Sequence, residues 1–110
     1  EQAAPSKPVN VDATLAKAVI ASEKPVLLDV RTPGEFQSGT IKGSMNIDFN
    51  SPDFEKEIAK LDKSKTYLVY CRSGNRSGQA LPMLEKLNLS KLYHLDGGVK
   101  AWQAAGNPVE

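Results

Sequence analysis

The length and charge of the chain limit the kinds of protein it can be. At 110 residues it has the usual size of one domain and is short for two independent hydrophobic cores. Its 14 basic and 13 acidic side chains give a formal charge of +1 and are mixed along the chain, so neither a nucleic acid nor a membrane is an expected partner. No apolar run approaches the ~20 residues that cross a bilayer.

The cysteine and histidine content restricts the chemistry further. With a single cysteine, the chain cannot form an internal disulfide. Cys71 and the single histidine, His94, are too few to hold a metal ion without carboxylate ligands. We therefore expect no metal site.

Residues 1–8 differ in composition from the rest of the chain. They are small, polar or proline, which is typical of a flexible spacer such as often follows the removal of a signal peptide. We expect a flexible N-terminal segment over 1–8 and one domain over 9–110. We also expect export to a bacterial periplasm, with a cytoplasmic location as the alternative.

Helix and strand signals alternate through the first half of the domain. Asp12 is a good N-cap for a helix over 13–22, and an apolar strand over 26–30 follows it. A short helix over 35–38 and a strand over 44–47 come next. The spacing of the first helix predicts an inward face of Leu15, Ala16, Val19 and Ile20.

The same alternation continues in the second half. Ser51 and Pro52 are a cap and a first helical residue, and they predict a helix that precedes a strand over 66–70. A helix from about Ser77 contains Pro82, which should kink it or delay its regular part. A strand over 92–95, a turn over 96–98 and a helix over 99–105 complete the chain. The residues predicted to face the core are Phe54, Ile58, Leu61, Ala80, Leu84, Leu87, Val99 and Trp102.

This order of elements predicts an α/β fold: an open, mostly parallel sheet with helices on both faces and right-handed crossovers. Ligands of such sheets bind outside the carboxyl ends of the strands. Three polar segments follow predicted strands, at 29–31, 71–76 and 96–98. Only the second contains a nucleophile, Cys71.

The segment 71–77 has the composition of an anion-binding loop. It reads Cys-Arg-Ser-Gly-Asn-Arg-Ser and leads from a strand into a helix, where successive backbone N–H groups and the helix start attract negative charge. Such surroundings favour the thiolate, which is the nucleophilic form of cysteine. The candidate site consists of Cys71 as the catalytic residue and, as substrate-binding residues, Arg72, Ser73, Gly74, Asn75, Arg76 and Ser77.

Simpler structural interpretations compete at several positions. A lone cysteine is more often a packed core residue, but the composition of this loop favours chemistry. We interpret Asp29 and Asp96 as capping or ion-paired residues that hold their loops, and not as general acids or bases. His94 lies within a strand and is interpreted as a satisfied structural histidine.

Four segments resemble the rhodanese homology domain. They are Leu-Asp-Val-Arg at 28–31 with Glu35 and Phe36, Ile-Lys-Gly-Ser at 41–44, Val-Tyr-Cys-Arg-Ser-Gly-Asn-Arg-Ser at 69–77, and Leu-Asp-Gly-Gly-Val at 95–99 with Trp102. The resemblance covers roughly residues 9–108. The family often has His before Ile41, where this chain has Thr40, and we interpret that position as structural.

The resemblance implies a single-domain thiosulfate sulfurtransferase without a metal or organic cofactor. Cys71 would carry a sulfur atom as a persulfide between thiosulfate or a persulfide donor and cyanide or a thiol acceptor. The amides from Arg72 to Ser77 would cradle the persulfide, and Arg72 and Arg76 would attract the anion. Asp29, Arg31 and Glu35 resemble scaffold residues. We expect a monomer, with a transient protein as a possible sulfur donor or acceptor.

Three other functions are compatible with the resemblance to different degrees. Related cell-cycle phosphatases need Cys-x5-Arg, whereas Arg76 follows Cys71 after four residues and Ser77 occupies the phosphatase arginine position, which argues against a phosphatase. A non-catalytic binding module is possible in this family, although Cys71 is retained. The third alternative is a redox or sulfide carrier whose sulfur donor is a protein persulfide or glutathione persulfide.

Overall fold

The computed structural model describes residues 7–110. Of the flexible segment predicted over 1–8, residues 1–6 lie outside the described part, while Lys7 and Pro8 precede the first strand. In chain order the elements are β1 Val9–Val11, α1 Ala13–Glu23, β2 Val26–Asp29, α2 Pro33–Ser38, β3 Met45–Asn46, α3 Phe54–Ile58, β4 Thr66–Tyr70, α4 Asn75–Glu85, β5 Lys91–Leu95 and α5 Gly98–Ala104. No helix within 7–110 is long and apolar enough to cross a membrane.

The strands form one open parallel sheet in the order β1-β5-β4-β2-β3. This confirms the predicted fold class. β4 lies at the centre, and its register places Val69 opposite His94 of β5. Because all strands run in one direction, the segments that follow β2, β4 and β5 meet at one edge of the sheet.

Two hydrophobic cores cover the two faces of the sheet, because successive strand residues point to opposite sides. On one face, Leu68 and Tyr70 pack with α1 and α5. On the other face, Val69 and Cys71 pack with α3 and α4. Cys71 therefore continues the alternation of β4 and projects to the side that α4 covers.

The structure corrects three details at the start of the chain and in the helices. The sequence does not predict β1, since a three-residue strand has little signal of its own. Ala16 and Val19 are buried and Ile20 packs against the core as predicted, but Leu15 is 49% exposed and Ala13 is buried in its place. α3 begins at Phe54, later than predicted, and Ser51 Oγ accepts a hydrogen bond from Asp53 N at 3.1 Å.

The start of α4 is the correction that bears on the candidate site. This helix begins at Asn75, two residues before the predicted start at Ser77, and it continues past Pro82 to Glu85. The loop between β4 and α4 is therefore only four residues long, 71–74. Ser77 belongs to the first turn of the helix, and its side chain is buried.

Candidate active site

The loop 71–74 is held in place by the start of α5. Val99 N donates to Cys71 O at 2.9 Å, and Lys100 N donates to Arg72 O at the same distance. Gly98, with φ +63°, lies so close that a side chain there would overlap the carbonyl groups of Cys71 and Arg72. Gly98 is thus required for the close approach of the backbone after β5 to the backbone after β4.

The sulfur of Cys71 is surrounded by hydrogen-bond donors. The residue is 1% exposed, and its Sγ accepts bonds from Gly74 N at 3.1 Å and Ser77 Oγ at 3.3 Å. Gly74 has φ +103°, a left-handed conformation that turns its N–H toward the sulfur at the start of α4. The loop therefore aims donors at one atom.

This arrangement favours the ionised sulfur. Burial raises the pKa of the Cys71 thiol, but hydrogen bonds from the Ser77 hydroxyl and from the N–H groups of Ser77, Gly74 and Ser73 outweigh it. The net result is a pKa below the ordinary value. A thiolate held in this way is a nucleophile.

The two arginines of the segment have different surroundings. Arg76 forms a two-pronged ion pair with Glu35, in which Nη1 and Nη2 lie 2.7 and 3.0 Å from the carboxylate oxygens. Arg72 is exposed and takes part in none of the ion pairs found within residues 7–110. Of the two, Arg72 is the one whose charge faces solvent beside Cys71 without a carboxylate partner.

The polar side chains of the segment also diverge. Asn75 is exposed, and its Oδ1 accepts from Gln79 Nε2 at 2.9 Å along the helix surface. Ser73 is exposed as well, and it contributes its backbone N–H to the sulfur. The structure thus brings Ser77 and the amides of 73, 74 and 77 to Cys71, while the side chains of Ser73 and Asn75 lie at the surface.

A neighbouring network supports the edge of the sheet after β2. Asp29 is fully buried and accepts from Arg31 N at 2.8 Å and Arg31 Nη2 at 2.7 Å, and Arg31 Nη2 also donates to Gly39 O at 2.6 Å. Thr40 Oγ1 bonds Asp29 Oδ2 at 3.2 Å. This geometry is that of a self-contained scaffold around Asp29, Arg31 and Thr40.

Glu35 links that scaffold to the cysteine loop. Its carboxylate takes part in a capping box with Thr32 at the start of α2 and also receives Arg76. The bonds from Arg76, followed by those from Thr32, lower the pKa of Glu35 to about 2 against the opposing effect of burial. Glu35 therefore stays ionised at neutral pH.

Nothing in the order of residues groups His94 or Asn10 with Cys71, yet both lie behind Ser77. Ser77 Oγ is 2.7 Å from His94 Nε2, and His94 Nδ1 is 2.9 Å from Asn10 Oδ1. Both ring nitrogens are satisfied, which agrees with the interpretation of a satisfied histidine. Strand alternation is the signal that could have placed His94 near Cys71, since His94 pairs with Val69 and both face the same side of the sheet as Cys71.

A recess of about 410 Å³ opens beside the loop. Its walls come from α2, α5 and Arg72, with Glu35, Lys100 and Gln103 among the lining residues. No group of three or more His, Cys, Asp or Glu side chains within the described range is placed to hold a metal ion.

These features define a class of protein, the parallel α/β domains that present a cysteine in a donor-lined loop after a central strand. The chain matches the Rhodanese-like domain over residues 12–105 and belongs to that family. A crystal structure of a rhodanese-related protein from Thermoplasma volcanium is similar, with a TM-score of 0.81, 31% identity and coverage of 93% of this chain and 97% of that one.

Two relatives carry functional names. The chain is 38% identical over 79 residues to the thiosulfate sulfurtransferase GlpE of Stutzerimonas stutzeri, which covers 71% of this chain and 70% of that protein. It is 34% identical over 88 residues to the probable adenylyltransferase/sulfurtransferase MoeZ of Mycobacterium tuberculosis, covering 80% of this chain. It spans only 22% of the length of MoeZ.

Proposed function

We propose that this domain is a sulfurtransferase in which Cys71 carries a sulfane sulfur as a persulfide. The observation that carries the proposal is the convergence of the Ser77 hydroxyl and the loop amides on a single buried sulfur. Donors arranged in this way stabilise negative charge on a thiolate. They would do the same for a persulfide anion at that place. The names of the two relatives support the same class of reaction.

The proposed reaction has two displacement steps. The Cys71 thiolate attacks the outer sulfur of thiosulfate, the S–S bond of thiosulfate breaks, and sulfite leaves with the bonding electron pair. A thiol or cyanide then attacks the outer sulfur of the persulfide, and the Cys71 thiolate departs. No external oxidant, reductant or metal enters the balance, and the enzyme returns to its starting state.

We assign the approach of an anionic donor to Arg72. Its guanidinium lies next to Cys71 in sequence, borders the recess and has no ion-pair partner among the described residues, whereas Arg76 is paired with Glu35. Small sulfur anions and thiols are therefore the proposed substrates, with a protein donor or acceptor as an alternative that uses the same sulfur. We propose that the domain works as a monomer.

Intact-mass spectrometry tests the proposal directly. After incubation with thiosulfate the protein should gain the mass of one sulfur atom, and cyanide should remove it as thiocyanate. Cys71→Ala should abolish both the gain and the turnover while retaining the thermal unfolding transition of the parent. Equal turnover in that variant, or a gain of oxygen alone, contradicts the proposal.

The same preparation separates the competing functions. A non-catalytic module would neither gain sulfur nor form thiocyanate, and a phosphatase would release phosphate from an aryl phosphate. A carrier that uses another donor would gain sulfur from glutathione persulfide and not from thiosulfate. Each assay uses the same protein, and each result is compared with that of Cys71→Ala as the matched control.

A further inference from the structure

A row of three polar side chains leads away from the sulfur of Cys71 through the protein. Ser77 of α4 is 3.3 Å from Sγ, His94 of β5 is 2.7 Å from Ser77, and Asn10 of β1 is 2.9 Å from His94. Ser77 and His94 are 0% and 5% exposed, while Asn10 is exposed. The row begins at the buried sulfur and ends at the surface.

We propose that His94, oriented by Asn10, is a positioning residue that sets the protonation state of Cys71 through Ser77. The inference rests on the proposed function in one respect, that Cys71 reacts as a thiolate. It goes further by assigning a role to His94 and Asn10, neither of which contacts the sulfur.

The hydroxyl proton of Ser77 links the ionisation of Cys71 to the tautomer of His94. The Ser77 hydroxyl has one proton and two neighbours, Sγ and His94 Nε2. If that proton is donated to a thiolate, the Ser77 oxygen is left to accept a bond from His94, so Nε2 must carry the ring proton. If Nε2 is bare, it takes the Ser77 proton and the sulfur loses this donor. The tautomer of His94 and the ionisation of Cys71 are therefore coupled.

Asn10 completes the coupling at the far side of the ring. With the ring proton on Nε2, Nδ1 needs a donor, and the amide of Asn10 supplies its NH₂ once its oxygen and nitrogen exchange places. With the proton on Nδ1, the Asn10 oxygen accepts it, as in the orientation described above. A side-chain amide serves both tautomers, whereas an ionised carboxylate can only accept.

The surroundings of His94 keep the ring neutral, so its tautomer carries the coupling. Burial lowers the pKa of His94 below its ordinary value, against the opposing attraction of Asp96. The ionisable groups facing the ring are Asp96, just after its own strand, and Cys71 beyond Ser77. The side chains that α4 and β1 place against it, Ser77 and Asn10, are neutral.

The first experiment measures the rate of Cys71 alkylation by iodoacetamide against pH, without any sulfur donor. One unit of pKa changes the thiolate fraction about tenfold at a pH below the pKa. At such a pH we expect the rate to fall about tenfold in Ser77→Ala and about threefold in His94→Leu, as the pKa of the thiol rises. His94→Gln, whose amide can donate near the position of Nε2, should stay within about twofold of the parent.

Tyr93→Phe is the matched control, because it removes a hydrogen bond to Glu23 from the same strand on the opposite face. It should leave the pH profile in place. If His94→Leu and Tyr93→Phe give the same profile, His94 has only a structural role and the inference is overturned.

The second experiment needs no substitution of His94 and stands even if His94→Leu fails to fold. His94 is the only histidine of the chain, so the ring ¹⁵N signals report its tautomer without ambiguity. We expect the Nε2–H form in the parent at a pH where Cys71 is ionised, and the Nδ1–H form in Cys71→Ala, where Ser77 has no sulfur to bond. The same tautomer in both contradicts the inference.

These measurements separate the two proposals. A protein that shows the tautomer change and the shifted alkylation profile but gains no sulfur would contradict the proposed function alone. A protein that gains sulfur from thiosulfate with an unchanged tautomer would contradict the coupling alone.

Discussion

Two polar segments follow neighbouring strands at the same edge of the sheet, and they are built in opposite ways. After β2, the carboxylate of Asp29 and the guanidinium of Arg31 satisfy one another and the surrounding backbone. After β4, the loop donors point at one sulfur atom instead. In the first segment the charged groups are paired with each other, and in the second the donors surround the sulfur that we propose to react.

The difference explains how a reactive loop can stay fixed. The Asp29 network holds Thr40, whose hydroxyl contacts the Tyr70 side chain, and Tyr70 is the last residue of β4 before Cys71. From the other side, α5 binds the carbonyl groups of Cys71 and Arg72. The loop amides are therefore free to face the sulfur, because neighbouring elements hold the backbone.

Asp29→Asn should give the largest effect on stability among the scaffold changes. Neutralising one partner leaves Arg31 buried with uncompensated charge, which costs about 3–5 kcal/mol. We expect the free energy of unfolding in urea to fall by that amount, while sulfur transfer per folded molecule changes less than about threefold. If the variant is folded at low temperature but inactive, Asp29 affects the Cys71 loop directly and is more than a scaffold residue.

The double variant Asp29→Asn/Arg31→Met is the control for that prediction. Removing both charges together costs less than removing one, since no buried ion is then left alone. We expect the double variant to be more stable than Asp29→Asn. If it is less stable, the cost comes from shape and hydrogen bonding and the ion-pair argument is wrong.

How far the sequence predicts this molecule depends on whether a feature is local. β4 has the predicted bounds, Thr66–Tyr70, because a continuous apolar run specifies a central buried strand. β1 consists of only three residues and is stabilised by pairing with β5. The residues that make it a strand therefore lie far along the chain, and its own sequence does not reveal it. Residue spacing predicts that Leu15 faces inward, but the docking angle of α1 decides which side of the helix is buried, and that angle is a tertiary property.

The candidate site likewise has one part that the local sequence predicts and another that depends on contacts between distant residues. Cys71 and the donor-rich loop can be inferred from composition next to a strand. The contacts between Ser77, His94 and Asn10 join residues 17 and 84 positions apart and depend on two strand registers and on α4 starting at Asn75. With the helix start predicted at Ser77, the buried orientation of Ser77 could not be foreseen.

Arg72→Ala should change substrate binding without a comparable change in stability. Loss of one charge-assisted contact is worth about 1.5–3 kcal/mol, so the KM for thiosulfate should rise about tenfold or more. The free energy of unfolding should stay within about 0.5 kcal/mol, because the side chain is exposed. Steady-state kinetics at two salt concentrations measure this, since added salt should reduce the difference between parent and variant.

Lys17→Ala is the matched control for Arg72, because it removes an exposed positive charge from α1, away from the recess. Its KM should equal that of the parent. If Arg72→Ala also leaves KM unchanged while Arg76→Ala raises it, the paired arginine and not the exposed one attracts the anion. The division of roles proposed for the loop would then be reversed.

Glu35→Gln should produce the smallest effect and tests the link between the two segments. Glutamine can keep the capping-box bond to Thr32 N but cannot pair with Arg76 as an ion. At pH 7 we expect a loss of about 1 kcal/mol in the free energy of unfolding, since both side chains are partly exposed. The pKa of Glu35 is about 2, whereas its ordinary value is 4.5. The ion pair therefore contributes its full stabilisation at pH values above 4.5. Its contribution disappears as the pH falls toward 2.

The difference in stability between parent and Glu35→Gln should therefore be constant from neutral pH down to about 5 and shrink below that. Glu57→Gln is the control, because it removes an exposed ion pair with Lys60 and should cost almost nothing at any pH. A difference that persists unchanged at acid pH would mean that the Glu35 carboxylate acts through packing or capping. Arg76 would then be held by something other than its charge, and the reactive loop would be independent of the scaffold that follows β2.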